Sequence, residues 1–509
     1  METKTAAIEM RNITKRFGPV LANDKVWLNI YRGEILALLG ENGSGKTTLM
    51  NMLSGIYFPD EGEIKIDGKE VVIRSPKDAF DNGIGMIHQH FKLVDVLTAA
   101  ENIVLGLPGK LDLKAASAKI REICDKYGFS VDPTQKIYDM SVSQKQTVEI
   151  VKVLYRGADI LILDEPTAVL TPQETDKLFA VLRNMRNDGK AIVIITHKMH
   201  EVEALSDRVA ILRHGQFIGD MLTKDTNAQE MTNMMVGHAV SLNIERPDPV
   251  DPKPRIEDKG LTVRSVDGII KLDDVSFTAN SGEILGIAGI SGCGQKELLE
   301  AIAGLQTVES GSISYIEDDG SREELIGKDP LSIAELGVSL SFVPEDRLGM
   351  GLVGNMNLAD NMMLRSFRRG KSIFTDRRSP RALAESVVQE LSVSTPSVDT
   401  PVRRLSGGNV QKVLVGREIA SAPTVLLTAY AVRGLDIHSS YTIYDLINRQ
   451  KKAGVAVIFV GEDLDVLLEL CDRILVLCGG KVSGIVPGRG AEKREVGMMM
   501  TKLGGQSHE

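Results

Sequence analysis

Short, almost unbroken apolar runs recur along the chain. In the first half they read EILALL (34–39), DILILDE (159–165), AIVIITH (191–197) and RVAILRHG (208–215). Turn residues bound each run, and longer helix-like patterns separate them. Strands buried on both faces of a parallel sheet have this signature, so the pattern predicts an α/β architecture. The pattern then returns. RGEILALLGENGSGKTTLMNMLSG (32–55) recurs as SGEILGIAGISGCGQKELLEAIAG (281–304), 249 residues later. The segment around Asp207 recurs around Asp472, 265 residues later. The repeat unit is thus a whole domain rather than a short solenoid element. Between the copies, ERPDPVDPKPR (245–255) holds four prolines in eleven residues. Proline lacks the amide donor and fixes φ, so this stretch predicts an extended spacer. The expected organisation is a first domain over 1–244, a linker over 245–255 and a second domain over 256–509.

Composition narrows the classes. The chain has 509 residues, is 43% hydrophobic and carries a net charge of −9. Nucleic-acid binders are more often basic, so no nucleic-acid partner is expected. Four scattered cysteines include no CxxC pair, which argues against a zinc site or a disulfide framework and suits a reducing cytoplasm. The opening METKTAAIEMRNITKRFG lacks the apolar core of a secretory signal. No stretch of about 18 apolar residues predicts a membrane span. Any membrane attachment is therefore expected to run through a partner.

The first half carries the chemistry. GENGSGKT (40–47) follows an apolar strand and opens a helical pattern, matching G-x-x-x-x-G-K-[ST]. Gly43 and Gly45 let backbone amides turn toward phosphate oxygens, and the new helix aims its N-terminus at the same anion. Lys46 is expected to reach the β- and γ-phosphates, and the Thr47 hydroxyl to hold Mg²⁺. In DILILDE, Asp164 ends a buried strand and is placed to bind the metal. Glu165 follows and is placed to polarise the attacking water. Gln89 could contact metal and water, His197 could steady the γ-phosphate, and Phe17 could stack on a base.

This ordered set resembles the ATP-binding cassette (ABC) ATPases, twice, over nearly all of the chain. The motifs are an aromatic, a P-loop, a Q-loop glutamine, a signature, Asp-Glu at a strand end and a switch histidine. The resemblance implies two tandem P-loop NTPase domains, each with a RecA-like α/β core, an antiparallel β subdomain and a helical signature subdomain. The family signature is LSGGQ. The second half has LSGGN (405–409), whereas the first has the poorer MSVSQ (140–144). In the family two such domains pair, and each ATP lies between one P-loop and the other signature. Here the two cassettes are expected to pair within one chain.

One composite site is then complete. It joins Phe17, Gly40, Glu41, Asn42, Gly43, Ser44, Gly45, Lys46, Thr47 and Thr48 with Gln89, Asp164, Glu165 and His197. Ser406, Gly407 and Gly408 come from the other half. Glu165, His197 and Gln89 are the implied catalytic groups, and Thr47, Gln89 and Asp164 the implied Mg²⁺ ligands. The second site fails repeatedly. Gln295 and Lys296 replace Lys46 and Thr47, and Ala429 and Tyr430 replace Asp164 and Glu165. Val266, Glu345 and Glu462 stand at the aromatic, glutamine and histidine places, and Thr171 at the D-loop place. The second half keeps Asp436 at its own D-loop place, which in the family approaches the opposite site. Losses in both halves converge on one site.

A degenerate second P-loop and VPEDR look like the energising subunits of importers for simple sugars and nucleosides. MIHQHFKLVDVLTAAENIVLG and LYRGADILILDEPTAVLTPQE look most like the nucleoside branch. The implied activity is ATP hydrolysis that drives nucleoside import, with simple sugars or riboflavin as alternative cargo. The implied partners are two integral-membrane permease subunits and, indirectly, an extracytoplasmic solute-binding protein. The implied place is the cytoplasmic face of the inner membrane, as a peripheral subunit. A soluble tandem ATPase acting on ribosomes or DNA would more often carry two intact sites and a long charged linker, zinc cysteines or a coiled-coil insertion. A purely regulatory ATP binder would not need a complete hydrolytic set.

Overall fold

The computed structural model describes residues 6–88, 91–109, 111–168, 170–237, 243–265, 268–290, 292–335, 340–344, 346–367, 375–461 and 463–502. The chain divides into two units, Met1–Ser241 and Leu242–Glu509.

In the first unit the apolar runs form a six-stranded sheet. Glu34–Leu39 lies inside it, parallel to Arg208–Arg213 on one side and Ala191–Ile195 on the other. Ile160–Asp164 and Ile84–Ile87 extend it in parallel, and Gln216–Leu222 closes the far edge antiparallel. All residues of Glu34–Leu39, Ile160–Asp164 and Ala191–Ile195 are buried, as continuous apolar runs require. A second sheet of four antiparallel strands is built around the pairing of Ala6–Phe17 with Val20–Tyr31 and Glu61–Ile66. Residues from both sheets and from helix Lys46–Leu53 share one core. A second core covers the other face of the six-stranded sheet. Helices Ala99–Val104, Leu113–Tyr127 and Val142–Tyr155 enclose a smaller third one.

The second unit repeats this plan. Its six-stranded sheet has the same order, with Ile284–Ala288 between Ala456–Val460 and Arg473–Cys478. Its four-stranded sheet is built on Pro254–Arg264.

The proline-rich stretch does not run free. The Asn448 side-chain amide donates to the Glu245 carbonyl at 2.6 Å, and Lys451 donates to the Pro247 carbonyl. Arg246 donates to the carbonyls of Leu468 and Cys471, and Arg489 bridges to Asp248. Prolines leave carbonyls without neighbouring amide donors, and side chains of the second unit satisfy them. The segment thus packs on the second unit, and strand Pro254–Arg264 begins inside it.

Candidate functional site

The P-loop follows strand Glu34–Leu39 directly. Gly43 and Gly45 have φ of +81° and +96°, a region that disfavours side chains. At Gly45 a Cβ would also lie 2.3 Å from the Ala22 carbonyl oxygen. Gly45 then caps helix Lys46–Leu53. Lys46 is buried and donates to the carbonyls of Gly40 at 2.7 Å and Glu41 at 2.9 Å. Burial pushes its ammonium below the ordinary lysine range, and Glu165, Asp164 and Glu41 oppose that shift. The buried Ser44 Oγ has no hydrogen-bond partner. A buried hydroxyl left unpaired is costly unless something else occupies it. A phosphate oxygen at the loop would supply that partner and draw Lys46 from the carbonyls.

Asp164 is the last residue of its strand, and its carboxylate accepts from the Thr47 hydroxyl at 3.2 Å. The structure thus brings together Thr47 and Asp164, two of the residues that the sequence assigns to Mg²⁺. Burial and the like charge on Glu165 push the Asp164 carboxyl up, while Thr47 and Lys46 pull it down. Glu165 comes next with φ +47°, and its amide donates to the Ile195 carbonyl at 2.9 Å. This turn points the side chain at His197, whose Nδ1 lies 3.0 Å from Glu165 Oε1. That hydrogen bond holds the Glu165 carboxyl below the usual range, against burial. Neighbouring carboxyls pushed in opposite directions divide naturally into different roles. No cluster of three His, Cys, Asp or Glu able to hold a metal occurs among the described residues. A Mg²⁺ here would take Thr47 and Asp164 as protein ligands and complete its shell with phosphate and water, the usual habit of this ion.

Phe17 ends strand Ala6–Phe17 and is 41% exposed. It meets Tyr57 edge-on at 5.1 Å, and Lys15 lies 5.6 Å over its ring. Asn42 and Gly43 are exposed on the loop, and Thr48 is half-buried on the first helical turn. Gln89 lies outside the described residues, as do Val266, Glu345 and Glu462.

The signature residues sit in the other unit. Ser406 caps helix Gly407–Ala420, accepting from the Asn409 amide. Gly407 and Gly408 have ordinary helical backbones. A Cβ on either would come no nearer than 3.4 Å to a side-chain atom. Two adjacent glycines cost helix stability, about 1 kcal/mol each relative to alanine, and the unit's own packing does not demand them. In the first unit Ser141 caps the equivalent helix with Val142 and Ser143 following. Asp436 also has a structural task. Its carboxylate caps helix Ile437–Lys452, accepting from the Ser439 amide and hydroxyl at 2.7 and 2.6 Å. Thr171 caps the matching helix of the first unit. Both residue types cap well, so the cap alone accounts for either one.

Sequence reasoning missed Glu201. Its buried carboxylate accepts from Thr167 Oγ1 at 2.6 and 2.7 Å, from Thr196 Oγ1 at 3.4 Å, and pairs with Lys198 at 3.2 Å. It therefore ties the loop after Glu165 to the loop bearing His197. The only signal was an acid four residues beyond that histidine. The aromatic neighbour Tyr57 was equally missed.

The second unit keeps the frame without these groups. Gln295 is buried where Lys46 stands, and its amide donates to the Ile290 carbonyl at 3.2 Å. Lys296 is half exposed and lies 3.7 Å from Glu300. Ala429 ends strand Val425–Ala429, and Tyr430 follows with φ +53°.

Comparison with known proteins agrees with this geometry. The ABC transporter family model matches residues 23–168 and 272–428. The chain belongs to the ABC transporter family. Among its relatives, the nucleoside import ATP-binding protein NupA of Lactococcus lactis subsp. cremoris (strain MG1363) is 42% identical over 509 residues, covering 99% of each chain. The guanosine import ATP-binding protein NupO of Bacillus subtilis (strain 168) is 41% identical over 500 residues, 97% of each chain. The glucose import ATP-binding protein TsgD13 of Haloferax volcanii is 39% identical over 536 residues, covering 98% of this chain and 96% of that one.

Proposed function

We propose that this chain is the ATP-hydrolysing, energy-coupling subunit of an ABC importer for nucleosides. The full-length likeness to nucleoside and guanosine import ATP-binding proteins carries the cargo class. The assembled Lys46, Thr47, Asp164, Glu165 and His197 support hydrolysis as its motor. The second reading is sugar import, favoured by the glucose relative at 39% identity.

Turnover takes place at one composite site, formed by the P-loop of the first unit and the signature of the second. Lys46 and the loop amides hold the phosphates of ATP, and Phe17 stacks on the base. Gly407 and Gly408 leave room for the signature's backbone amides to approach the same phosphates, with Ser406 beside them. Mg²⁺, when bound by Thr47 and Asp164, offsets phosphate charge. Glu165 accepts the proton of the attacking water, and His197 keeps that carboxylate oriented. The protein chiefly positions groups and stabilises charge, as suits phosphoryl transfer. Gln295 retains a hydrogen-bond donor, so the second site holds nucleotide without turning it over.

Two membrane permease subunits and an extracytoplasmic solute-binding protein complete the importer, with this chain on the cytoplasmic face. The permeases supply the membrane attachment, and among the described residues of this chain no helix is long and apolar enough to cross a membrane. The test is uptake of labelled nucleosides, pentoses and riboflavin by host cells carrying wild type or Lys46→Ala. Selective loss of nucleoside uptake supports the proposal. Selective loss of another cargo replaces the substrate, and no loss of any uptake removes the importer reading.

A further inference from the structure

The connection that leaves the edge strand of the six-stranded sheet differs between the units. In the first, strand Ile84–Ile87 leads to Val94, whose backbone both donates to and accepts from the Asn102 side chain. In the second, strand Leu340–Val343 leads to Val353, held the same way by Asn361. Seven steps separate Ile87 from Val94, whereas ten separate Val343 from Val353. The second connection is three residues longer.

The extra length forms one π-type turn, Arg347–Gly351, closed by Leu352 N–H donating to the Arg347 carbonyl at 2.7 Å. Such turns are rare and store local irregularity that needs a packing reason. Here the turn lies along the signature helix Gly407–Ala420. At one end, Arg347 Nη1 donates to the Gly407 carbonyl at 3.0 Å. At the other, Arg417 donates to the Gly351 carbonyl at 2.7 Å. Between them a Cβ on Gly351 would lie 2.8 Å from Leu414 Cδ2, so the turn presses on the helix. Lys152 donates to the Lys92 carbonyl in the first unit, which matches the Arg417 contact.

Arg347 does something further. Its Nη2 donates to the Arg433 carbonyl, three residues before the helix cap Asp436. Among the described residues no carboxylate lies within ion-pair distance of its guanidinium. A planar fork with two carbonyls on it fixes their separation more tightly than a single flexible amine could. The signature's first turn contains two adjacent glycines and is intrinsically loose. The π-type turn Arg347–Gly351 carries Leu348 and Met350 outward, both more than 40% exposed.

We propose that Arg347 is a positioning residue for ATP turnover. It sets the spacing between the signature's first turn and the loop before Asp436, and links both to the turn bearing Leu348 and Met350. The inference rests on the reading that the second unit's signature completes the first unit's ATP site.

Steady-state ATPase of the full-length chain tests it, with Ser406→Arg as the companion variant. Arg347→Ala is expected to lower kcat by about tenfold while KM for MgATP stays within about twofold, because loose positioning harms the reaction more than ground-state binding. Arg347→Lys, which reaches one carbonyl but not both, should recover part of kcat. A merely structural role would lower the amount of folded protein and leave kcat per folded molecule unchanged. Wild-type kcat in Arg347→Ala, with Ser406→Arg inactive, overturns the proposal and leaves the composite site standing. Full activity in Ser406→Arg overturns the composite site itself. If Arg347→Ala fails to fold, Arg347→Lys decides, since an unchanged kcat per folded molecule there overturns the proposal.

Discussion

Two strand ends in this molecule share a backbone and not a chemistry. Strand Ile160–Asp164 pairs its last residue with Ile195, and Val425–Ala429 pairs its last residue with Val460. The next residue, Glu165 or Tyr430, turns left-handed at φ +47° or +53°. Each then donates its amide to the end of the neighbouring strand at 2.9 Å. A left-handed conformation costs a non-glycine residue roughly 1–2 kcal/mol. It is kept in the copy where no carboxylate remains. The turn is therefore a property of the sheet, and the chemistry was added to or removed from a fixed frame. The supporting polar groups differ between the units as well. Thr167, Thr196 and Glu201 of the first unit correspond to Val432, Gly461 and Val466, and the two valines pack against the apolar core.

The largest effect should come from Glu165→Gln. A positioned base contributes about 10²–10⁴-fold, so hydrolysis should fall by at least that lower bound while ATP still binds. Tyr430→Glu should give no compensating gain, because Gln295, Lys296 and Ala429 remain. Filter-binding and single-turnover assays separate the two quantities. Lys46→Ala should weaken nucleotide binding by about tenfold or more through loss of a charged donor, whereas Gln295→Ala should leave turnover almost unchanged. Glu201→Ala should lower kcat by about tenfold through misplaced loops. It should also cost about 1–3 kcal/mol of first-unit stability, because Thr167 and Thr196 lose a buried acceptor. An unchanged kcat in that variant would show that Glu201 does not position these loops for turnover.

The smallest effect concerns stability. Asp258 pairs with Phe277 and Ile313 where Met10 of the first unit pairs with Leu28 and Ile64. Its carboxyl is buried with no hydrogen-bond partner, and burial raises its pKa well above the ordinary value. The folded state thus keeps a proton that the unfolded chain releases above about pH 3.9. Second-unit stability from this group is greatest below that pH and declines as pH rises toward the folded value. Asp258→Met should raise stability by about 1–3 kcal/mol at neutral pH and flatten that slope. Denaturant melts at several pH values check both.

The P-loop was legible in the sequence because its glycines, Lys46 and Thr47 are contiguous and their backbone needs are local. The strand-end acids were legible for the same reason, since a buried run announces where it stops. Glu201 was not, because its role arises only when two loops meet in space. Asp436 was read for its place in the family, while its helix cap is a local structural task that a nearby helix start could have signalled. The proline-rich stretch was read from composition as a spacer. Its docking depends on side chains about 200 residues away, such as Asn448 and Lys451, which no local pattern reveals. The three-residue excess before Val353 becomes visible only when both strand ends are aligned on the structure.

The proposed motor has one hydrolytic site per chain. Its most direct measurement is the number of nucleotides hydrolysed and trapped per full-length chain in a single vanadate-arrested turnover. One trapped ADP per chain, abolished by Glu165→Gln, is the expected result. Two trapped ADP per chain would contradict it.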